Sequence, residues 1–127
     1  MRSNGWFARG LIVLVALLAL VALVHARGDP DALPAVELRD LPREARDVLA
    51  RIETGGPFAY ERDGVTFGNR EHSLPRRPRG YYHEYTVRTP GERTRGARRI
   101  VCGGPPRTPD ACYYSDDHYQ SFRQIAR

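Results

Sequence analysis

The residues most suited to chemistry are a glutamate, a histidine and a group of arginines in the second half of the chain. Glu84 lies within the run 80–87, Gly-Tyr-Tyr-His-Glu-Tyr-Thr-Val, whose aromatic and β-branched residues are typical of a buried strand. His118 lies near the C-terminus, and the run 93–99 contains four arginines. A carboxylate and an imidazole can exchange protons with a substrate, and guanidinium groups can hold an anion. The combination is suited to chemistry at a phosphate.

Strand geometry indicates how these groups could meet. Successive side chains of a strand point to opposite faces, so Glu84 shares a face with Tyr82 and Thr86. The run 98–102 is the next strand candidate, and its pairing with 80–87 would allow Arg99 to lie beside Glu84. We therefore expect acid, base and cation on one face of a sheet.

The basic charge of the chain is concentrated in its middle. Arginine supplies all 20 basic side chains. Residues 70–107 contain ten arginines and three acids, a net charge of +7, whereas 27–69 contain six arginines and nine acids and 108–127 contain two arginines and three acids. A concentrated patch of guanidinium groups attracts polyanions. A solvated basic face is the alternative for any one arginine, but the cluster indicates a phosphate-rich partner.

The first 26 residues have the plan of a secretory signal. Arg2 and Arg9 precede an apolar run of 14 residues, 11–24, and the small residues Val24 and Ala26 stand at the third and first positions before a possible cleavage site. The run is shorter than the roughly 20 residues needed to span a bilayer. We expect cleavage after Ala26, and an uncleaved membrane anchor is the alternative.

Cleavage would leave 101 residues, a length that suits one compact domain. Residues 27–35 are rich in Asp, Pro and Gly, so we expect a flexible leader there and a folded domain over 36–127. The product should be secreted to the outside of the cell, with no stable membrane association after signal cleavage.

The exported part contains two cysteines, Cys102 and Cys112. Export to an oxidising compartment favours a disulfide between them. Closing a loop of this size stabilises a fold by roughly 2 to 3 kcal/mol in chain-entropy estimates. A metal site is the less favoured alternative, because the spacing of the cysteines and histidines does not complete a ligand set.

One helix and several short strands follow from the remaining pattern. Proline at 42 followed by acids favours a helix start, apolar residues at 45, 48, 49 and 52 have helical spacing, and glycines at 55 and 56 end the helix. The strand candidates are 36–38, 80–87, 98–102, 111–115 and 121–125. This order indicates an α+β domain, with one N-terminal helix packed on a small antiparallel β-sheet.

The sequence of 58–64 predicts a turn-rich connection, and that of 65–67 predicts a brief extended segment. The following run 67–71, Phe-Gly-Asn-Arg-Glu, contains Gly and Asn, which allow a bend that turns several amide N–H groups toward one point. Amide donors beside the Glu71 carboxylate match the O6, N7, N1 and N2 edge of guanine. An exposed turn without a ligand is the alternative for this run alone.

The runs 67–71, 81–87, 89–99 and 117–119 together resemble bacterial guanyl-specific extracellular ribonucleases, the barnase-like microbial ribonucleases, and most closely their streptomycete-type branch. The likeness extends over about 36–125 in order, spacing and residue type. It implies the microbial ribonuclease fold and an endoribonuclease that cleaves single-stranded RNA 3' of guanosine. Transphosphorylation would form a 2',3'-cyclic phosphate, which is then hydrolysed to a 3'-phosphate without metal or other cofactor.

The resemblance also implies residue roles. Glu84 matches the general base and His118 the general acid, while Arg95 and Arg99 match arginines that hold the scissile phosphate. The substrate-binding positions that it implies are Phe67, Gly68, Asn69, Arg70, Glu71 and Tyr119. We expect a surface position for His72, and His83 should point away from Glu84.

Two positions depart from the family pattern. Gly68 stands where close relatives often carry a longer polar side chain, which leaves the backbone amide but removes a side-chain contact. The relatives' disulfide commonly joins the two ends of the domain, whereas here Glu37 lies near the first expected cysteine position. The family also implies a small acidic intracellular inhibitor, similar to barstar, which the basic face of this chain could accept. We expect the protein to be a monomer. Two alternative hypotheses are a catalytically silent RNA-binding module and a delivered toxin nuclease of the same fold.

Overall fold

The computed structural model describes residues 32–127, so the expected signal 1–26 and most of the 27–35 leader lie outside the described residues. The elements below belong to the unit Leu33–Arg127. Within 32–127, no helix is both long and apolar enough to cross a bilayer.

The predicted helix is present as α1, Arg43–Thr54. It follows a short 3₁₀ turn, Leu38–Asp40, and the carbonyl of Pro42 accepts the first hydrogen bonds from the helix. Its buried residues, Ala45, Leu49 and Ile52, follow the spacing seen in the sequence. Gly55 ends the helix with a φ of 80°, a left-handed conformation that glycine adopts without a steric penalty.

Five strands form one sheet: β1 Ala35–Glu37, β2 Tyr82–Thr86, β3 Arg99–Gly103, β4 Ala111–Ser115 and β5 Arg123–Ala126. Their order across the sheet is β1-β5-β4-β3-β2. Strands β2 to β5 pair antiparallel in succession, which confirms the expected helix and antiparallel sheet. The exception is β1, which pairs parallel with β5. A parallel pair needs a long connection, and here the helix and three strands supply it.

The two faces of the sheet are buried in different ways. On one face, Tyr85, Ile100 and Ile125 pack with the buried side of α1. On the other, Tyr82, Val101 and Tyr113 form a smaller cluster with Leu74 and Phe122, and loops cover it. The alternation predicted around Glu84 is therefore present, and Glu84 lies on the face that the helix leaves free.

The disulfide between Cys102 and Cys112 is present. The two residues are direct partners in the β3–β4 register, with Cα atoms 4.1 Å apart, and both lie in the cluster on the helix face. The bond therefore joins neighbouring strands on the side of the sheet away from Glu84.

The domain ends are held together without a covalent bond. Glu37 on β1 is the register partner of Ala126 on β5, and the Arg127 guanidinium lies 3.1 Å from a Glu53 carboxylate oxygen. Because this ion pair is partly exposed, it contributes at most about 1 kcal/mol. Strand pairing is the main connection between the two ends.

Replacement of both cysteines, Cys102→Ala with Cys112→Ala, should lower the free energy of unfolding by about 2 to 3 kcal/mol, because the unfolded chain regains the freedom of the closed loop. Urea denaturation followed by circular dichroism measures the change. The unreplaced protein treated with reductant should show a similar shift. A loss below about 0.5 kcal/mol would show that the strand pairing alone holds this hairpin.

Candidate active site

A cavity of about 820 Å³ opens on the loop-covered face of the sheet. It brings together residues that are far apart in the sequence. The lining residues are Arg62, Thr66, Phe67, Gly68, Asn69, Arg70, Glu71, Ser73, Arg79, Glu84, His118, Tyr119 and Gln120. The carboxylate of β2, the imidazole near the C-terminus and the whole run 67–71 therefore share one pocket.

Glu84 is buried at 7% exposure in the middle of β2. Its carboxylate Oε1 lies 3.8 Å from Arg62 Nε and 3.9 Å from Arg95 Nη2. Its backbone is paired on both sides, with Val101 of β3 in register and with the segment that contains Gly64 and Val65 through hydrogen bonds of 2.8 and 2.9 Å. The carboxylate is thus held by a fixed backbone and surrounded by cations.

Arg95 is aimed at this carboxylate by a neighbour on the same strand face. Its Nε and Nη2 donate hydrogen bonds of 3.0 and 2.7 Å to Thr86 Oγ1. Thr86 and Glu84 are two residues apart on β2 and point to the same face. Arg95 does not line the cavity itself but contacts Glu84, which does.

Arg99 lies directly opposite Thr86, because the β2–β3 register pairs Glu84 with Val101. The side chain is on the expected face but lies two register pairs from Glu84, and the ion pairs of Glu84 come from Arg62 and Arg95 instead. Arg99 is 2% exposed, and its Nη1 donates to the Arg98 carbonyl at 2.8 Å. Its Nε is buried without a hydrogen-bond partner in the described part of the chain. A buried guanidinium with an unused donor is suited to an anion.

Tyr119 lies beside the carboxylate and the guanidinium. The Arg99 guanidinium lies 5.8 Å from the centre of the Tyr119 ring. Burial raises the pKa of the Tyr119 hydroxyl, the nearby Glu84 charge adds to the rise, and Arg99 opposes it. The hydroxyl therefore keeps its proton and remains a donor for an anion in the pocket.

His118 is presented on a tight turn after β4. Its φ is 55°, and its N–H donates to the Ala97 carbonyl at 2.9 Å, which ties the turn to the arginine-bearing loop. The Asp117 carboxylate accepts hydrogen bonds from the Ser121 and Ser115 hydroxyls. The hydrogen bonds from Ser121 lower the pKa of Asp117. Asp117 therefore stabilises the turn, and the His118 ring is left exposed to the cavity.

The run 67–71 forms an arch pinned by Asn69. The Asn69 side chain donates to the Leu74 carbonyl at 2.9 Å and accepts from the Leu74 N–H at 3.1 Å, and its φ is 49°. Because Leu74 is itself buried in the cluster on this face, these two hydrogen bonds anchor the middle of the arch to the core. Gly68, Arg70 and Glu71 remain exposed along the cavity.

Phe67 is held at the start of this arch by other aromatic rings. Its ring stacks on Tyr119, with centroids 5.2 Å apart and planes inclined by 27°, and its neighbour Phe122 meets it edge-on.

The two histidines expected to be outside the site are outside it: neither His72 nor His83 lines the cavity.

Several lining residues were not found from the sequence: Arg62, Thr66, Ser73, Arg79 and Gln120. Arg62 belongs to the turn-rich connection 58–64. Asp63 fixes that connection to β2, because its Oδ1 accepts a 2.7 Å hydrogen bond from the Thr86 N–H. A turn has no periodic side-chain pattern, so its place beside Glu84 could not be predicted. The acid next to Arg62 was the available signal, since Asp is favoured in side-chain-capped turns.

A sequence model of a protein family described as ribonuclease matches residues 27–126. The chain belongs to this ribonuclease family. Within the described residues, no cluster of three or more His, Cys, Asp or Glu is placed to hold a metal ion.

Guanyl-specific ribonucleases are among the relatives of this family member. The chain is 55% identical to guanyl-specific ribonuclease Sa3 of Kitasatospora aureofaciens over 85 residues, which are 67% of this chain and 58% of that protein. The chain thus spans less than two thirds of Sa3. It is 50% identical to guanyl-specific ribonuclease St of Saccharopolyspora erythraea over 96 residues, 76% of this chain and 91% of the relative.

A solved structure shares the fold. The crystal structure of ribonuclease Sa2 with guanosine-2'-cyclophosphate is 49% identical in sequence, with a TM-score of 0.68 and coverage of 75% of this chain and 97% of that one. The expected microbial ribonuclease fold is confirmed by this match.

Asn69→Ala should lower the free energy of unfolding by about 1 to 3 kcal/mol more than His72→Ala, because it leaves the buried Leu74 N–H and carbonyl unpaired. His72 is a matched control, since it has a similar φ of 54° and an exposed side chain. Thermal denaturation of both variants measures the difference. Equal stability of the two variants would show that the arch is held by its backbone alone.

Proposed function

We propose that this chain is a guanyl-specific endoribonuclease that cleaves single-stranded RNA on the 3' side of guanosine. The observation that carries the proposal is the cavity that the buried Glu84 carboxylate and the His118 imidazole share with the run 67–71, which includes the Glu71 carboxylate. Family membership and the guanosine-2'-cyclophosphate complex of a relative with 49% identity support it.

In the first step, RNA supplies its own nucleophile, the ribose 2'-hydroxyl. Glu84 as carboxylate takes the 2'-hydroxyl proton while the 2'-oxygen attacks phosphorus. The bond from phosphorus to the 5'-oxygen of the next nucleotide breaks, and His118 as imidazolium protonates that oxygen. The products are a guanosine 2',3'-cyclic phosphate end and a free 5'-hydroxyl. Acid and base groups supply about 10²- to 10⁴-fold each in such steps.

In the second step, the two groups exchange roles. Neutral His118 takes a proton from water, the water oxygen adds to phosphorus, and the bond to the 2'-oxygen breaks. Protonated Glu84 returns its proton to the 2'-oxygen. The product is a 3'-phosphate, and both side chains recover their starting protonation states.

Arginines and Tyr119 stabilise the negative charge that grows on the phosphate. Arg99 is buried with an unused Nε donor, and Arg95 is oriented by Thr86, so both are fixed before substrate arrives. Preorganised donors of this kind contribute about 2.7 to 4 kcal/mol each to the barrier reduction when their loss is measured by mutation. Arg62, whose side chain is 64% exposed, adds a third cation near the phosphate oxygens.

Guanine binding is assigned to the arch 67–71. The backbone amides of Gly68, Asn69 and Arg70 would donate to O6 and N7, and the Glu71 carboxylate would accept from N1 and N2. Phe67 would stack on the base with the ring face that Tyr119 leaves free. The hydrogen bonds of the Asn69 side chain support this assignment, because they hold the backbone amides in place without occupying them.

The same proposal includes the export, the domain limits and the oligomeric state of the protein. Residues 1–26 act as a cleaved signal and 27–35 as a leader, and 36–127 is the secreted catalytic domain, which acts as a monomer. An N-terminus at Arg27 in protein recovered from culture medium tests the cleavage. The basic face around the cavity is also suited to a small acidic inhibitor inside the cell, and a change in activity on titration with such a protein tests that part.

The wild-type protein should cut a single-stranded oligonucleotide with one guanosine only after that base, with chelator present, and leave a DNA oligonucleotide intact because DNA lacks the 2'-hydroxyl. Mass spectrometry should find the cyclic phosphate first and the 3'-phosphate later. Glu84→Gln should lower kcat/KM about 10²- to 10⁴-fold while the oligonucleotide still binds.

His83→Gln is the matched control for that variant, because His83 is adjacent on β2 but points to the opposite face. It should keep near-normal activity. Intact RNA in the wild-type reaction would leave the protein as an RNA-binding module, and equal loss in both variants would assign Glu84 to the fold.

The dependence of kcat/KM on pH should be bell-shaped. The first step needs one group that takes a proton and another that gives one, so the rate falls at either extreme of pH, where one of the two is in the wrong form. Initial rates with an oligonucleotide across the pH range measure both limbs. His118→Ala should remove the alkaline limb from the residual activity, and a flat wild-type profile would contradict this acid and base pair.

A further inference from the structure

The loop 73–80 is fixed to the domain at several points. Leu74 is buried at its start, and the Tyr82 hydroxyl donates a 2.6 Å hydrogen bond to the Pro75 carbonyl. At its end, the Tyr81 N–H donates to the Pro78 carbonyl at 3.1 Å. Two prolines further restrict the backbone. The loop therefore presents its side chains from a rigid support, which reduces the entropy lost on binding.

This loop displays three exposed arginines, Arg76, Arg77 and Arg79. Among the described residues, none of them forms an ion pair within 4 Å of an acid. By contrast, Arg62 and Arg95 form ion pairs with Glu84, and the Arg99 guanidinium lies over the Tyr119 ring. Three free cations within four residues make a local positive surface whose charge the domain does not neutralise.

An aromatic ring lies beside these cations. The Arg77 guanidinium is 5.2 Å from the centre of the Tyr81 ring, and the Tyr81 hydroxyl donates a 2.9 Å hydrogen bond to Asp110. The ring lies so close to the backbone of Gly103 that a side chain at that position would overlap it. Tyr81 is therefore held in place, partly exposed, next to the arginines.

The surface is continuous with the catalytic cavity. Ser73 and Arg79, at the two ends of the loop, both line that cavity. Its volume of about 820 Å³ is toward the upper end of the range of about 300 to 1,000 Å³ for pockets that hold one small ligand. A strand that places its guanosine in the cavity can thus leave it past Arg79 and continue over Arg76, Arg77 and Tyr81.

We propose that Arg76 and Arg77, with Arg77 held over the Tyr81 ring, form a second RNA-binding surface, which holds phosphates of the same strand outside the guanosine pocket. The inference rests on the proposed ribonuclease function and extends it from one nucleotide to a longer stretch of strand. A positively charged surface that follows the backbone is a usual means of holding single-stranded nucleic acid. RNA is favoured over an acidic protein because the surface begins at the pocket that would hold RNA.

Two substrates of different length separate this surface from the catalytic pocket. Guanosine 2',3'-cyclic phosphate is long enough to contact the cavity but not the loop 73–80. A single-stranded oligonucleotide of about ten nucleotides with one central guanosine is long enough to contact both. The variant is Arg76→Ser with Arg77→Ser. The control is Arg39→Ser with Arg46→Ser, which removes the same charge from exposed positions in and before α1, on the other side of the sheet.

For the Arg76, Arg77 variant, kcat/KM on the oligonucleotide should fall on the order of tenfold at low salt. The slope of log kcat/KM against log salt should also become shallower by about 1.4, which is the value for two lost phosphate contacts to a single strand. Hydrolysis of the cyclic mononucleotide should stay within about twofold, as should both substrates with the control variant.

Other outcomes overturn the proposal. Equal loss on both substrates would mean that the loop shapes the cavity, and equal loss with the control would mean that only total charge matters. An unchanged oligonucleotide rate would leave an acidic protein as the partner of this surface. If the wild-type protein cuts neither substrate, the proposed function fails by itself. Oligonucleotide affinity in a Glu84→Gln background, with and without the two arginines, then still decides whether the surface binds RNA.

Discussion

Burial of the Glu84 carboxylate in the middle of β2 is the constraint on which the pocket depends. A buried carboxylate costs free energy unless cations and hydrogen-bond donors surround it. Arg62, Arg95 and Tyr119 surround this one, and they come from three separate loops. Those loops must therefore converge on β2 for the charge to be tolerated, and the same convergence creates a cavity with a carboxylate at its base.

The sheet separates stability from chemistry. Its helix face is an apolar cluster closed by α1 and contains the Cys102–Cys112 bond. Its other face combines a small aromatic cluster with Glu84, Thr86 and Arg99. Charged groups are tolerated there because loops, rather than a second helix, cover the face and leave a cavity open on it. A five-stranded sheet with one helix can in this way support both a dry core and a charged pocket.

Polar side chains in the loops mostly form hydrogen bonds that fix the loops in place. Asp63 binds the backbone of β2, Asn69 binds both backbone groups of Leu74, and Asp117 binds two serine hydroxyls. These acids and amides shape the rim of the cavity instead of neutralising its arginines. Within residues 32–127, the consequence is a rigid rim with cations that no acid neutralises, such as Arg76 on the adjoining loop, and with the unpaired Nε donor of Arg99 beneath it. Such preorganised charge is suited to an anionic substrate.

The sequence by itself determined the features that neighbouring residues encode. The helix between Pro42 and Gly55, the strand at 111–115 and the face of β2 that carries Glu84 all follow from local spacing and backbone preference. Residues 67–71 and His118 were also singled out by their types, and the resemblance to known ribonucleases added their roles; the structure places them in one cavity.

Tertiary structure decided what depends on contacts between distant parts of the chain. The β2–β3 register set Arg99 opposite Thr86 rather than Glu84, β1 paired parallel with β5, and Arg62 reached Glu84 from an irregular turn. Register, strand direction and turn position are set by packing across the whole sheet, and a turn carries no periodic pattern that would reveal its neighbours. For that physical reason, the types of the site residues could be identified from the sequence, but the contacts between them could not.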